Sequence, residues 1–243
     1  MYRIGSHFWK ISKPKNWPSI FLDSHYQKIN IARLSHLSSL KLDLYGKNVL
    51  ELGAGIGDHT LFYLYQNCKV LPIEGRSELT AFIRKRFEIE VKQIDLEENC
   101  EALSLENGFD IVHCYGLLYH LNNPASLLEA SSKCGKMLIL ETCVSSDYAL
   151  DDINLIKEDV RNHSQALHGV GCRPKREWLW NKLSSLYPYV YAPVTQPNHE
   201  QFPIDWSIDF PINQLQRSIF IASHGSIKSS MLTELLPKKY STQ

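Results

Sequence analysis

Two hydrophobic periods alternate along the chain from residue 47 onward. Lys47-Asn48-Val49-Leu50-Glu51-Leu52 is a short β-rich run that ends in the glycine-bearing turn Gly53 to Gly57. The helix expected after it carries Leu61, Leu64 and Tyr65 on one face. Lys69 to Ile73 predicts a second strand. Leu79, Phe82, Ile83 and Phe87 then fall at spacings of three, one and four, the stripe of an amphipathic helix. Val91 to Ile94 and Phe109 to Tyr115 predict a third and a fourth strand. Asn123-Pro124 opens a helix, because an Asn side chain caps free amides and Pro suits the first helical position. Met137 to Leu140 has too few polar residues for a strand facing water, as in a central parallel strand. A further helix is expected to start at Pro174 and to carry Trp178, Leu179, Lys182, Leu183 and Leu186. Tyr189 to Val194 and Ser218 to Ala222 supply two last strands.

Strands alternating with helices predict an α/β, doubly wound, mostly parallel sheet with helices on both faces. Three segments fall outside the alternation. Residues 1–46 place Tyr26, Ile29, Leu34, Leu37 and Leu40 at roughly helical spacing and are expected to form an N-terminal helical extension, with a homodimer interface as an alternative use. Residues 47–243 form the main domain. Within it, residues 144–173, with His163 and His168, and residues 195–214, with Pro197, Pro203 and Pro211 among Phe202, Trp206 and Phe210, are expected to be lid insertions. Long loops in a compact domain tend to carry function.

Composition narrows the class. The 243 residues are 44% hydrophobic and 21% charged, which excludes disorder, collagen-like repeats and coiled coil. Basic and acidic side chains balance at 26 each, so the overall charge gives nothing in favour of a nucleic-acid partner, though it leaves room for a local patch. The start, Met1 to His7, lacks the apolar core of a signal peptide, and no apolar run approaches the ~18 residues that span a bilayer. A cytoplasmic location, with no membrane partner, is expected. The six cysteines are never closer than nine positions, so no zinc knuckle is expected and they read as small buried hydrophobes.

The chemistry concentrates at Glu51-Leu52-Gly53-Ala54-Gly55-Ile56-Gly57-Asp58. A strand running through glycines into a helix brings bare backbone and helix N-terminal amides against a ligand. A dinucleotide turn would need G-x-G-x-x-G. Here the spacing is G-x-G-x-G, with Asp58 where the third glycine would stand, and its charge would repel a pyrophosphate.

That stretch resembles motif I of the class I S-adenosylmethionine-dependent methyltransferases, and the resemblance extends over most of residues 47–142. It implies a seven-stranded sheet of order 3-2-1-4-5-7-6, with S-adenosyl-L-methionine as donor and S-adenosyl-L-homocysteine as product. Glu74, ending the second strand and followed by Gly75, matches the family's acidic residue that grips both ribose hydroxyls; one acceptor-only carboxylate serves two hydroxyls. Asp95, ending the third, matches the acceptor of the adenine amino group, with Leu96 against the ring. Gly53, Ala54 and Gly55 would approach the methionine moiety and Glu51 would help hold its ammonium. Cys114, Tyr115 and Gly116 would line the methyl donor.

Gly116-Leu117-Leu118-Tyr119-His120-Leu121-Asn122-Asn123-Pro124 is similar to a stretch shared by bacterial small-molecule and glycan methyltransferases and by tRNA wobble-uridine carboxymethyltransferases. No carboxylate set at the fourth strand end suggests a bound Mg²⁺, so metal-independent transfer is expected. The acceptor is expected to be a small molecule or sugar, methylated at oxygen. Two alternatives are transfer to a tRNA wobble uridine and a non-catalytic donor-binding subunit. A hydroxyl acceptor must lose a proton, a task for which neutral His is suited; His120 and His168 are the catalytic candidates. Tyr119, Arg173, His199 and Trp206 are the acceptor-binding candidates, Arg173 for its ability to clamp an anion.

Overall fold

The computed structural model describes residues 18–146, 149, 151–208, 210 and 214–241. The first 17 residues of the expected extension, residues 147, 148 and 150 of the first expected lid, and 209 and 211–213 (Pro211 included) of the second lie outside the described residues. So do 242–243.

Five parallel strands form the centre of the sheet: β1 (Asn48–Leu52), β2 (Lys69–Glu74), β3 (Lys92–Gln93), β4 (Phe109–Tyr115) and β5 (Gly135–Val144). β9 (Gln216–Ser223) inserts antiparallel beside β5, and β8 (Tyr189–Pro193) pairs with β9. The order β3-β2-β1-β4-β5-β9-β8 is the expected one. A short edge strand, β10 (Leu232–Thr233), extends it to eight.

Residues 144–173 are not a simple loop. β6 (Ile153–Lys157) and β7 (Val170–Pro174) pair as an antiparallel hairpin outside the main sheet. Pro174 therefore ends a strand instead of opening a helix. It pairs opposite Ile153 at the end of the ladder, where its missing N–H is tolerated, and helix α5 (Arg176–Leu186) begins two residues on.

Side chains alternate across each strand, and the two faces of the sheet differ. Leu50, Leu52, Val112, Cys114, Leu138, Leu140, Phe220 and Ala222 form one apolar cluster with α4 (Pro124–Cys134) and α5. α4 is capped as expected, with Asn123 Oδ1 accepting from Ser126 N and Pro124 leading the helix. The opposite face begins with Val49, Ile111, Ile139, Ile219 and Ile221. Nearer the strands' carboxyl edge the same face carries Glu51, His113 and Glu141, all at most 2% exposed, with buried Arg217 from β9.

α3 (Ser77–Phe87) follows β2 and buries Leu79, Thr80 and Ile83. α1 (Ser24–Ser39) and α2 (Asp58–Tyr65) meet the polar layer with polar side chains of their own. The buried positions of α1 are Ile29, Asn30, Arg33, His36 and Leu37, so its inward stripe is out of phase with the Leu34 reading. α2 buries Thr60 and Tyr63 and leaves Tyr65 at 82% exposed, the reverse of the expected Leu61–Leu64–Tyr65 face. The reason is direct: Thr60 Oγ1 donates to Glu51 Oε2 (2.5 Å), and the Tyr63 hydroxyl donates to His113 Nδ1 (3.0 Å).

Candidate functional site

A cleft of about 1000 Å³, open to solvent, lies where β1, β2, β3 and β4 end. The turn after β1 forms its floor. Gly53 has φ +70°, and a Cβ there would stand 2.9 Å from Leu117 Cβ, so only glycine fits. Its N–H donates to Ile73 O at 2.9 Å, which pins the turn to β2.

Glu74 is 8% exposed and lines the cleft. Its Oε2 accepts from Gly55 N and its Oε1 from Arg76 N, both at 2.9 Å. Burial pushes its carboxyl above the usual range, opposed by these backbone donors. Asp95 and Leu96 line the same cleft one strand further out. Asp95 Oδ1 accepts from Glu97 N (3.0 Å), and Oδ2 lies 2.6 Å from His168 Nε2. Gly53, Ala54, Gly55, Gly75, Tyr115, Gly116, Tyr119 and His120 complete the expected residues that the cleft brings together.

Six expected site residues lie elsewhere. Cys114 is 1% exposed in the apolar core, because alternation along β4 turns it away from the face shown by His113 and Tyr115. Glu51 sits behind the glycine turn, bonded to Thr60; burial pushes its carboxyl up to about 8. His168 is a partner of Asp95 and does not line the cleft. Arg173 supports the cleft from outside, donating to Tyr119 O (3.1 Å) with its guanidinium 5.1 Å from the Tyr119 ring. His199 packs its ring beside His25, and Trp206 is buried beneath the Arg176 guanidinium at 4.0 Å.

The described part of 195–214 supplies none of the cleft-lining residues. It packs down instead: Thr195 O accepts from His36 Nε2 (3.0 Å), and Gln201 Oε1 accepts from Arg217 Nε (2.7 Å). The hairpin does cover the cleft, through His163, Ser164, Gln165 and Leu167. Arg76 Nη2 donates to the carbonyls of Val160, Asn162 and Gln165 at 3.2–3.4 Å, and His163 Nε2 pairs with Glu78 Oε1 at 2.8 Å.

Sequence reasoning missed the wall supplied by α1. Tyr26, Asn30 and Arg33 line the cleft. Arg33 Nη2 donates to Glu141 Oε2 and Arg217 Nη1 to Glu141 Oε1, both at 2.9 Å. Two buried guanidiniums thus face one carboxylate, leaving positive charge at the cleft wall. A second chain of bonds runs alongside. Asn30 Nδ2 donates to Asp58 Oδ2 (3.2 Å), which leaves Asn30 Oδ1 to accept from His59 Nε2 (2.8 Å); His113 Nε2 in turn donates to His59 Nδ1 (3.0 Å). An acceptor-only carboxylate at one end therefore fixes both tautomers. Burial holds both rings neutral, with His59 pushed down to about 4 and His113 well below its usual value. The available signal was the phase of Asn30 and Arg33 with Leu37 and Leu40 on one helix face.

The arrangement suits an adenosyl sulfonium carrying an amino acid. It offers a buried carboxylate for a vicinal diol, Leu96 and Ile94 for a flat base, and guanidinium charge for an α-carboxylate. When bound, such a donor supplies a methyl group on a sulfonium leaving group. The fold and cleft define a nucleoside-donor-binding α/β protein of the methyltransferase type. Residues 22–181 match the methyltransferase domain family, and the chain belongs to that family. S-adenosylmethionine is the donor that goes with it.

The chain is 31% identical over 124 residues to the ubiquinone biosynthesis O-methyltransferase of Pasteurella multocida, covering 46% of this chain and 50% of that protein. It is 30% identical over 128 residues to the tRNA U34 carboxymethyltransferase of Helicobacter acinonychis, covering 44% and 47%. The matches thus span about half the length of these curated relatives. Among solved structures, the N-terminal domain of EvdMO1 with SAH bound shares the fold at TM-score 0.60 and 21% identity, over 83% of this chain and 84% of that one. No helix among the described residues is long and apolar enough to cross a membrane.

Proposed function

We propose that the chain is a cytoplasmic, metal-independent methyltransferase that moves the methyl group of S-adenosylmethionine to a hydroxyl of a small-molecule or sugar acceptor. The observation that carries this reading is the convergence of Glu74, Asp95, the Gly53–Gly55 turn and Arg33 on one cleft that also holds His120. Glu74 grips the ribose diol, Asp95 receives the adenine amino group beside Leu96, and Arg33 faces the methionine carboxylate. Gly75, Tyr115 and Gly116 shape the seat, and Tyr119 borders the acceptor. In-line displacement needs orientation and exclusion of water more than acid–base power, and the hairpin loop over the cleft is placed for both. His120 takes the proton that a hydroxyl acceptor must lose.

Calorimetric titration with S-adenosylhomocysteine tests the donor seat. Glu74→Ala is expected to lose binding while its circular dichroism stays that of the wild type; unchanged affinity would remove Glu74 from the role. The Helicobacter acinonychis relative favours a second reading, transfer to a tRNA wobble uridine. RNA binding that falls steeply with salt would support it.

A further inference from the structure

We propose that Glu158 is a positioning residue of the transfer site: it accepts the Nδ1 proton of His120 and so leaves the Nε2 lone pair as the ring's free proton acceptor. The proposal rests on the reading of His120 as the group that deprotonates the acceptor.

His120 ends the tight turn Leu118–His120 after β4 and lines the cleft. Its Nδ1 lies 2.5 Å from Glu158 Oε2, and the two side chains are 14% and 4% exposed. Glu158 immediately follows β6, so the hairpin delivers it. Glu158 Oε2 also accepts from Ala166 N (2.7 Å), and Oε1 accepts from Arg173 Nη2 (3.3 Å). Burial acts to raise the Glu158 carboxyl, but His120, the Ala166 N–H and the Arg173 guanidinium outweigh it and hold it below its usual value, so it is ionised at pH 7, and an ionised carboxylate can only accept. The proton between the partners therefore belongs to Nδ1. His120 Nε2 has no hydrogen-bond partner among the described residues.

The backbone is shaped for this contact. At Gly171 in β7 a Cβ would lie 2.4 Å from Tyr119 O and 2.8 Å from Glu158 Oε1, so a side chain there would push the hairpin off the His120 turn. The charged groups facing His120 are Glu158, Arg173 and Arg217. Burial lowers the ring's pKa, Glu158 opposes that, and the two arginines add to it; the sum lies below the usual value, which keeps the ring neutral at pH 7.

In the transfer, the acceptor O–H bond breaks and its proton goes to His120 Nε2 while the oxygen forms a bond to the methyl carbon. The carbon–sulfur bond breaks with its electron pair left on sulfur. The sulfonium's positive charge reappears on the imidazolium, whose Nδ1–H already points at the Glu158 carboxylate. Charge and protons balance without a further reactant.

Long-range ¹H–¹⁵N spectra of histidine-labelled protein at pH 7.5 test this, with His120→Asn assigning the resonance. Wild type is expected to show one tautomer, protonated on Nδ1. Glu158→Leu is expected to shift the proton toward Nε2 while S-adenosylhomocysteine affinity changes less than about threefold, since Glu158 does not line the cleft. A wild-type ring protonated on Nε2 overturns the proposal whatever the variants do. So does an unchanged tautomer in Glu158→Leu, which would reduce Glu158 to a structural role. Where Glu158→Leu does not fold, Glu158→Gln keeps the volume and must lower the His120 pKa. Failure of the wild type to bind S-adenosylhomocysteine would instead sink the donor reading and leave the tautomer result standing.

Discussion

The cluster Arg33–Glu141–Arg217 makes an asymmetric prediction about stability. Glu141 has a fully buried side chain, and those of Arg33 and Arg217 are 4% and 7% exposed. Glu141→Gln removes the one anion between two buried cations, a loss of about 3–5 kcal/mol. Arg33→Met forfeits one charge-assisted bond, about 1.5–3 kcal/mol, but leaves Arg217 and Glu141 as a matched pair. It also deletes Arg33 Nε, a buried donor without a partner among the described residues, whose desolvation cost of about 1–3 kcal/mol is then relieved. The net for Arg33→Met is roughly −1.5 to 2 kcal/mol. In a domain of this size the difference of about 1–6.5 kcal/mol corresponds to a melting point for Glu141→Gln roughly 2–26 °C below that of Arg33→Met. Urea unfolding followed by circular dichroism at pH 7 measures both variants. The acid limb adds a check on the cause. Burial acts to raise the Glu141 carboxyl, but the two guanidiniums outweigh it and hold it below its usual value. Its folded-state pKa being depressed, the cluster's contribution is present above the unfolded carboxyl value near ~4.3 and is lost as pH falls through the folded value. The deficit of Glu141→Gln must therefore shrink in acid. Equal destabilisation by the two substitutions, or a deficit indifferent to pH, would refute the reasoning.

Two other expectations concern pH. Glu51 is held by burial at about 8 in the folded chain, above its unfolded value, so it contributes stability below ~4.3 that is lost as pH rises toward 8. Glu51→Gln, neutral throughout, should gain on the wild type between about pH 5 and 8 in urea midpoints; parallel curves would contradict this. His168 is raised above its usual value chiefly by its hydrogen bond to Asp95, so that contact is fully present below ~6.5 and is lost as pH rises through the folded value. Hydrogen-exchange protection of residues 158–169 should drop over that rise, and His168→Ala should abolish the pH dependence while a persistent step in that variant would assign it elsewhere.

What the sequence made legible were features whose signal is local. Glu74 and Asp95 each follow a short predicted strand, and Gly53, Gly55 and Gly57 sit between a strand and a helix, so their positions follow from neighbours a few residues away. Asn30 and Arg33 share the phase of Leu37 and Leu40, but their polarity masks that local signal. They occupy buried helix positions whose polarity is tolerable only because Glu141 stands 108 residues later and His59 29 residues later. A hydrophobic reading therefore chose Leu34 in place of Arg33. Thr60 and Tyr63 escaped for the same reason. Glu158 lies in a polar segment that resembles any solvated loop until β6 and β7 pair and bring it to His120. The segment after Thr195 lacks periodicity because its burial comes from irregular contacts, such as Arg217 with Gln201 and His36 with Thr195 O.

These missed residues share a purpose that packing alone cannot serve. α1 supplies a wall of the cleft, and an apolar helix on an apolar sheet face could shift along its axis at modest cost. Three separate matches fix α1 instead: Arg33 with Glu141, Asn30 with His59, and His36 with the Thr195 carbonyl. A shift of one turn would break all three, each leaving a buried polar group unpaired at about 1–3 kcal/mol, more for the charged ones. The other face of the sheet, where α4 and α5 cover the core, carries Leu50 and Leu52 of β1, Val112 and Cys114 of β4 and Leu138 and Leu140 of β5. Polar pairing thus concentrates on the face where a helix must arrive in a single register, because there its side chains form part of the donor's seat.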